Sequence, residues 1–277
     1  MKTIGVFDSG FGGLTVLREL LQLIPDARYV YLGDTARLPY GSKSRKTIAR
    51  YAVSSARFLA DQGADLLVIA CNTATALALD DIRAAVPVPI VGVVEPGAHA
   101  ALTAAIASSA GTGGSRVIVL ATSATTQSGA YTRALNALGL RSVEKACPLL
   151  VPLVEEGWLH SDVHTSVTLE VLRIYLLEAL EQAPAANILL LGCTHYPLLK
   201  PLIETTLKNL HHPMQIIDSA EATASAVAAL AMDSGPGAIV MPDRVFYATD
   251  SIEKFQRLGS AFLRQPLPPV KLVDLGG

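Results

Sequence analysis

Two cysteines carry the strongest chemical signal in this sequence. Cys71 ends the apolar run Leu66–Ala70, and Cys193 follows the run Ile188–Leu191 after Gly192. Polar residues come next in both places, Asn72-Thr73 in the first and Thr194-His195 in the second. A cysteine after an apolar run is ordinarily a small buried hydrophobe. A pair in equivalent settings asks for a different account. Both spacings predict a strand, then a thiol, then a helix start. A thiol at a helix N-terminus has its pKa of about 8.5 lowered, because the dipole and free N–H groups favour thiolate. Such a group suits a nucleophile or a base. Metal binding is the competing use, but zinc sites pair cysteines at short spacing. These two lie far apart, and His195 alone does not complete a ligand set, so no metal is expected. Cys147, followed by Pro148, has no partner motif and is expected to be structural.

Other polar residues cluster at predicted strand ends. Asp8 and Ser9 follow Ile4–Phe7 and precede Gly10-Phe11-Gly12-Gly13. This is neither G-x-G-x-x-G nor a P-loop, and a carboxylate there would repel phosphate. The glycines are expected to permit a tight strand-to-helix turn and to leave N–H groups open to a small anion. Asn72, Thr73, Thr194, Thr122, Thr125 and Ser128 are neutral hydrogen-bonding groups, and some should cap helices. Two adjacent polar residues after each cysteine exceed what capping needs, which points to ligand contact. Pro39-Tyr40-Gly41 lies in the basic loop 37–47. A glycine beside an aromatic allows close backbone approach, so this tripeptide is placed near a ligand. The loop's charges are expected to be solvated. His195 beside Cys193 can tune the thiol or relay its proton. Glu155, expected at the end of a strand Val151–Val154, could face the same wall. His160, His164, His211 and His212 have no such context.

The elements that must position these groups follow from the hydrophobic pattern. Further strand-like runs are Tyr29–Leu32, Ile90–Val94, Val117–Leu120, Gln215–Ile217 and Val245–Ala248. Helical patterns cover Leu14–Leu23, 44–60, 74–85, 98–109, 129–138 and 163–182, with others starting near DSAEATA and Ser251. In 44–60, Ile48, Tyr51, Ala52, Ser55, Phe58 and Leu59 share one face, and Gly63 ends the helix. Apolar runs without polar alternation suit parallel strands buried on both faces. The fold class is therefore α/β with helical crossovers. The pattern also repeats. Strand–Asp8–Ser9 corresponds to strand–Thr122–Ser123, and strand–Cys71–Asn72 to strand–Cys193–Thr194. Two pseudo-symmetric domains with mostly parallel sheets are expected, with an active-site cleft between them, since ligands sit beyond the carboxyl ends of such strands. Segment 108–115, SSAGTGGS, has the composition of a flexible connection. The chain's end is too short for a third domain and should return to the first. The first domain is then 1–97 plus 211–277, and the second 98–210.

Composition narrows the class. The chain has 277 residues, 51% hydrophobic and 17% charged, which excludes a disordered polymer. Lys plus Arg number 22 against 24 Asp plus Glu, a balance that argues against a nucleic-acid partner. No run reaches the ~18 apolar residues of a spanning helix. The N-terminal stretch lacks the long apolar region of a signal peptide. Three cysteines, an odd number, fit a reducing compartment. The expectation is a cytoplasmic protein with no membrane association.

The motifs DSGFGGL (8–14), ARLPYG (36–41), ACNTAT (70–75), VVEPG (93–97), PLVEEG (152–157) and LGCTHYPLL (191–199) together closely resemble the glutamate racemase family. The resemblance includes IDSAEATA and FYATDS and spans nearly the whole chain; the tail after about Leu267 lies outside it. Aspartate racemases share paired cysteines but are not expected to carry DSG-x-GGL. The resemblance implies a cofactor-independent two-base isomerase that supplies D-glutamate for peptidoglycan, often as a homodimer. By motif, Cys71 would deprotonate the D-enantiomer and Cys193 the L-enantiomer. Asp8 would assist Cys71, while His195 and Glu155 would assist Cys193. Ser9, Pro39, Tyr40, Gly41, Asn72, Thr73, Thr122, Thr125 and Thr194, with Asp8 and His195, would hold the substrate. A pyridoxal enzyme would need a Schiff-base lysine, and no lysine stands at a strand end beside these motifs. The alternative of another class is an anion-binding protein that holds glutamate without α-proton exchange.

Overall fold

The computed structural model describes residues 3–108, 116–232 and 243–276. The chain forms two compact units, Met1–Val93 with Ala220–Gly277, and Val94–Ser219.

The first unit is built on β1 (Thr3–Asp8), β2 (Arg28–Gly33), β3 (Leu66–Ile69), β4 (Ile90–Gly92), β9 (Arg244–Ala248) and β10 (Val270–Leu272). Their order is β10-β9-β2-β1-β3-β4, with every pairing parallel. Helices α1 (Leu14–Leu23), α2 (Arg45–Asp61), α3 (Asn72–Ala85), α10 (Ser219–Met232) and α11 (Ile252–Leu263) accompany it. The second unit has β5 (Arg116–Ala121), β6 (Arg141–Ala146), β7 (Ile188–Gly192) and β8 (Gln215–Asp218) in the order β6-β5-β7-β8, again all parallel. Its helices are α4 (Val94–Ala107), α5 (Ser123–Ser128), α6 (Ala130–Ala137), α7 (Leu150–Glu155), α8 (Asp162–Gln182) and α9 (Lys200–Asn209).

The strands form because their apolar runs are buried on both faces. Val6, Phe7, Val30, Leu32, Val68 and Ile69 are inaccessible in one sheet, and Val117, Val119, Leu189 and Leu190 in the other. Helix α2 starts where the Ser44 hydroxyl accepts from the Thr47 N–H. It buries Ile48, Ala52, Ser55 and Leu59 as the spacing predicts, while Tyr51 and Phe58 pack at the edge. It stops at Gly63, whose φ of +82° suits glycine.

Several expectations need correction. The segment Gln215–Ile217 does not return to the first sheet. It pairs with β7, and the seam falls at Ser219/Ala220 rather than at residue 211. The first seam is at Val93/Val94, not 97/98, because Val94 already opens α4. Glu95-Pro96-Gly97 lies inside that helix, where a proline in the first turn costs no intrahelical bond. Val151–Val154 is helix α7, not a strand. Its apolar residues Leu150, Leu153 and Val154 have i, i+3, i+4 spacing. The strand preceding it is β6, RSVEKA, an edge strand whose half-exposed pattern hides it among polar residues. The helix expected after His195 begins only at Lys200, as α9, and strand β10 has no counterpart in the hydrophobic pattern. The connection expected at 108–115 lies, apart from Ser108, outside the described residues. Among the described residues no helix is long and apolar enough to cross a membrane.

Candidate active site

In the first unit, β1 lies between β2 and β3, with Asp8 level with Gly33 and Phe7 level with Ile69. The three strands therefore end together and deliver Asp8 and Cys71 to one edge. Asp8 is buried, and its Oδ2 accepts from the Gly10 N–H at 2.9 Å. Cys71 is itself the N-cap of α3. Its Sγ accepts from the Ala74 N–H at 3.4 Å and lies 3.4 Å from Ser9 Oγ. Asn72 and Thr73 thus stand in the first helical turn, both buried, and the thiol does the capping. The glycines 10, 12 and 13 do not serve a left-handed turn, since none has positive φ. Gly13 serves close approach instead, because a Cβ there would lie 2.5 Å from Asp8 Cβ. The N–H of Gly10 is committed to Asp8 rather than left for an anion.

Tyr40 belongs to the core of this unit. Its hydroxyl donates to Asp34 Oδ2 at 2.5 Å, and Thr249 Oγ1 donates to Asp34 Oδ1 at 3.0 Å. Burial pushes the Asp34 carboxyl above its ordinary range despite these bonds, and burial likewise pushes the Tyr40 phenol up. Tyr40 is buried, whereas Pro39 is exposed and Gly41 half-buried. Of the charges of loop 37–47, Arg37 is engaged within the unit, while Arg45 pairs at the exposed surface. Arg37 pairs with Asp34, donates to the Gly276 carbonyl and sits 4.7 Å from the Tyr51 ring; Arg45 pairs with Asp81. Asp34 and Thr249, which hold this loop, were missed by sequence reasoning; GDT and ATDS were their only local signals.

In the second unit Cys193 follows β7 directly. A Cβ at Gly192 would lie 2.9 Å from the Leu120 carbonyl oxygen, so glycine lets the strands close. The expected helix start at the thiol is absent. The chain makes a short 3₁₀ turn, Tyr196–Leu199, before α9 begins. The neighbour of the thiol is His195, which is buried. Its Nε2 lies 3.2 Å from Glu155 Oε1, and its Nδ1 lies 3.4 Å from Thr194 Oγ1. Burial alone pushes the imidazole pKa down. Hydrogen bonds to Cys193 and Glu155 outweigh it and bring it up to about 10. Glu155 arrives from the C-terminal end of α7 rather than from a strand. Thr122 caps α5, with the Thr125 N–H donating to its hydroxyl, so local structure accounts for contacts of both threonines. Cys147 is fully buried, and burial pushes its thiol well up. That is the profile of a structural residue. Among the described residues no group of three or more His, Cys, Asp and Glu could hold a metal.

Residues 4–227 match the model of the Asp/Glu/Hydantoin racemase family. A glutamate racemase of Koribacter versatilis is 49% identical, with 99% of this chain and 98% of the relative covered. A glutamate racemase of Aquifex aeolicus is 41% identical, with 96% of each covered. The crystal structure of glutamate racemase from Francisella tularensis in complex with D-glutamate superposes with a TM-score of 0.86 at 32% identity, covering 99% of this chain and 98% of that one. A family-model match over most of the chain and relatives this similar over nearly their full length have one reading: the chain belongs to the Asp/Glu/Hydantoin racemase family.

Proposed function

We propose that the protein is a glutamate racemase that interconverts L- and D-glutamate by a two-base mechanism, with Cys71 and Cys193 as the bases. The observation that carries this reading is the equivalent position of the two thiols. Each follows the third strand of one four-strand order, β2-β1-β3-β4 in one unit and β6-β5-β7-β8 in the other. Inversion at a carbon needs a base on one face and an acid on the other. From D-glutamate, the Cys71 thiolate takes the α-proton and becomes a thiol. The electron pair stays on the α-carbon, conjugated with the carboxylate. The Cys193 thiol then gives its proton to the opposite face and becomes a thiolate. The reverse direction exchanges the roles.

The α-proton is a very weak acid, so charge developing at the transition state must be met by aimed donors. Ser9 stands beside Cys71, and Asp8, whose Oδ2 holds the Gly10 N–H of the same turn, assists proton transfer. The His195 imidazolium, backed by Glu155, assists Cys193. Backbone groups of Pro39-Tyr40-Gly41 and the polar residues Asn72, Thr73, Thr122, Thr125 and Thr194 hold the two carboxylates and the amino group. The reaction so written draws on no cofactor. A cytoplasmic homodimer that supplies D-glutamate for peptidoglycan completes this reading.

The deciding experiment is exchange of the α-proton in D₂O, followed for each enantiomer. The protein should incorporate deuterium and generate the opposite enantiomer. The Cys71→Ala and Cys193→Ala variants should each lose racemisation. Binding of glutamate without exchange would overturn the proposal in favour of an anion-binding protein.

A further inference from the structure

Two buried tyrosines, one in each unit, carry no role so far. Tyr31 on β2 is fully buried, and its hydroxyl donates to the Gly10 carbonyl at 3.2 Å. That carbonyl ends the Asp8–Ser9–Gly10 turn, whose Ser9 lies against the Cys71 thiol. Space there is set closely, since a Cβ at Gly33 would come within 2.4 Å of the Gly10 oxygen. The Tyr31 ring is held by Phe246 and Phe255 at centroid distances of 6.1 and 6.0 Å. The charges of Asp8 and Cys71 both act on its phenol, which places it in their field.

Tyr196 is also fully buried, and its hydroxyl donates to the Cys147 carbonyl at 3.0 Å. The same carbonyl accepts from the N–H of Leu150, the first residue of α7. That helix ends on Glu155. The N–H of Tyr196 donates to the Cys193 carbonyl at 3.1 Å. Tyr196 therefore ties the turn that carries Cys193 and His195 to the root of the helix that carries Glu155.

We propose that Tyr31 and Tyr196 are positioning residues, one for each thiol. Tyr31 holds the Asp8–Gly10 turn against Cys71, and Tyr196 holds the His195–Glu155 pair in register with Cys193. Neither ring touches the reacting atoms; each acts through the turn it fixes. The inference rests on the two-base reading above.

The test uses the full chain with Tyr31→Phe and Tyr196→Phe, which keep the rings and remove one hydrogen bond each. L- and D-glutamate have equal free energies, so kcat/KM must remain equal in the two directions for every variant. A loss of rate alone cannot locate the damage. Primary isotope effects with α-deuterated D- and L-glutamate can. Each variant should lose about five- to tenfold in kcat/KM, the worth of one net hydrogen bond. With Tyr31→Phe, proton abstraction by Cys71 becomes more limiting. The isotope effect should rise for D-glutamate and fall towards unity for L-glutamate. Tyr196→Phe should shift the two effects in the opposite sense.

Tyr29→Phe is the control. Tyr29 is equally buried, but its hydroxyl donates to the Leu20 and Ile24 carbonyls at the far end of α1. It should lower thermal stability and leave both isotope effects as in the unaltered protein. If one phenylalanine variant does not fold, the other still decides, because its own pair of effects must move in the stated sense. Isotope effects that stay unchanged, or that shift in the same sense in both variants, overturn the inference while racemisation by the unaltered protein upholds the two-base reading. An unaltered protein without α-proton exchange removes that reading and this inference together.

Discussion

The two thiols occupy the same place in the strand order, yet their surroundings have little in common. Cys71 caps a fourteen-residue helix and receives an N–H from its first turn, with Ser9 against its sulfur. Cys193 has no helix at its back and hydrogen-bonds instead to an imidazole anchored on Glu155. Topology delivers each thiol to the end of the third strand, and a different partner meets it there, a helix N–H in one unit and an imidazole in the other. The difference matters because the devices respond differently to pH. A helix N-terminus contributes about half a positive charge that never titrates. An imidazolium contributes a full charge that is lost when it gives up its proton.

The most severe test of the comparison replaces each thiol separately. Cys71→Ser and Cys193→Ser should each reduce racemisation by about 10³-fold or more, within the range of general acid–base catalysis. Direct chiral analysis of product measures this. If one of the two retained most of its activity, the halves would not be equivalent in function, and a one-base account would replace the present one.

His195→Asn comes next, with an expected loss of about 10²-fold in kcat. It also separates the halves by pH. The folded-state pKa of His195, about 10, stands above its ordinary value of 6.5. The folded state therefore binds this proton more tightly than the unfolded chain does. The stabilisation is fully present below pH 6.5 and is lost as pH rises through about 10. The melting-temperature gap between the unaltered protein and His195→Asn should narrow over that interval. Glu155→Gln removes one of the bonds that raise the imidazole. It should move the alkaline limb of kcat with L-glutamate to lower pH. A limb that stays in place would detach Glu155 from the function of His195.

Much of this arrangement was legible in the sequence, for identifiable reasons. Parallel strands buried on both faces announce themselves as unbroken apolar runs, as in Leu66–Ile69 and Ile188–Leu191. Both thiols follow directly from those runs. Strand β6 was illegible because an edge strand with the sequence RSVEKA shows no such run. Without β6 the apolar run Val151–Val154 reads as a strand, although it is the helix that ends on Glu155. Helix spacing near Cys193 was mistaken for a helix start because Tyr196-Pro197-Leu198-Leu199 makes a 3₁₀ turn of similar apolar content. The role of Asp34 in holding loop 35–42 could not be deduced from local pattern. Its partner Thr249 lies in a distant segment that only the folded β2–β9 pairing brings near.

A milder change probes the Cys71 half alone. Gly13→Ala adds a methyl that would lie 2.5 Å from Asp8 Cβ and 3.0 Å from Ala70 Cβ. Overpacking of this kind costs about 1–3 kcal/mol, and here the side chain displaced is a candidate for the catalytic apparatus. A fall in kcat of about tenfold is expected, with a larger isotope effect for D-glutamate than for L-glutamate. An equal change in both isotope effects would mean that the glycine serves packing only.

The smallest effect belongs to the third cysteine, and it sharpens the comparison by subtraction. Cys147 shares the second unit with Cys193, and the two thiols interact electrostatically. It nonetheless lies fully buried, its sulfur 3.5 Å from the Lys145 carbonyl oxygen, and burial holds its proton on. A thiol kept neutral in the core neither abstracts a proton nor lends a charge. Cys147→Ala should therefore cost about 1–2 kcal/mol of stability through the small cavity it leaves. Racemisation should stay within about twofold of the unaltered rate, in keeping with a change whose only mechanism is packing. Denaturant titration and chiral product analysis measure the two quantities on the same sample. Loss of activity at preserved stability would show that the Cys193 half needs its buried neighbour, and the contrast between two differently partnered thiols would become a contrast between one thiol and a pair.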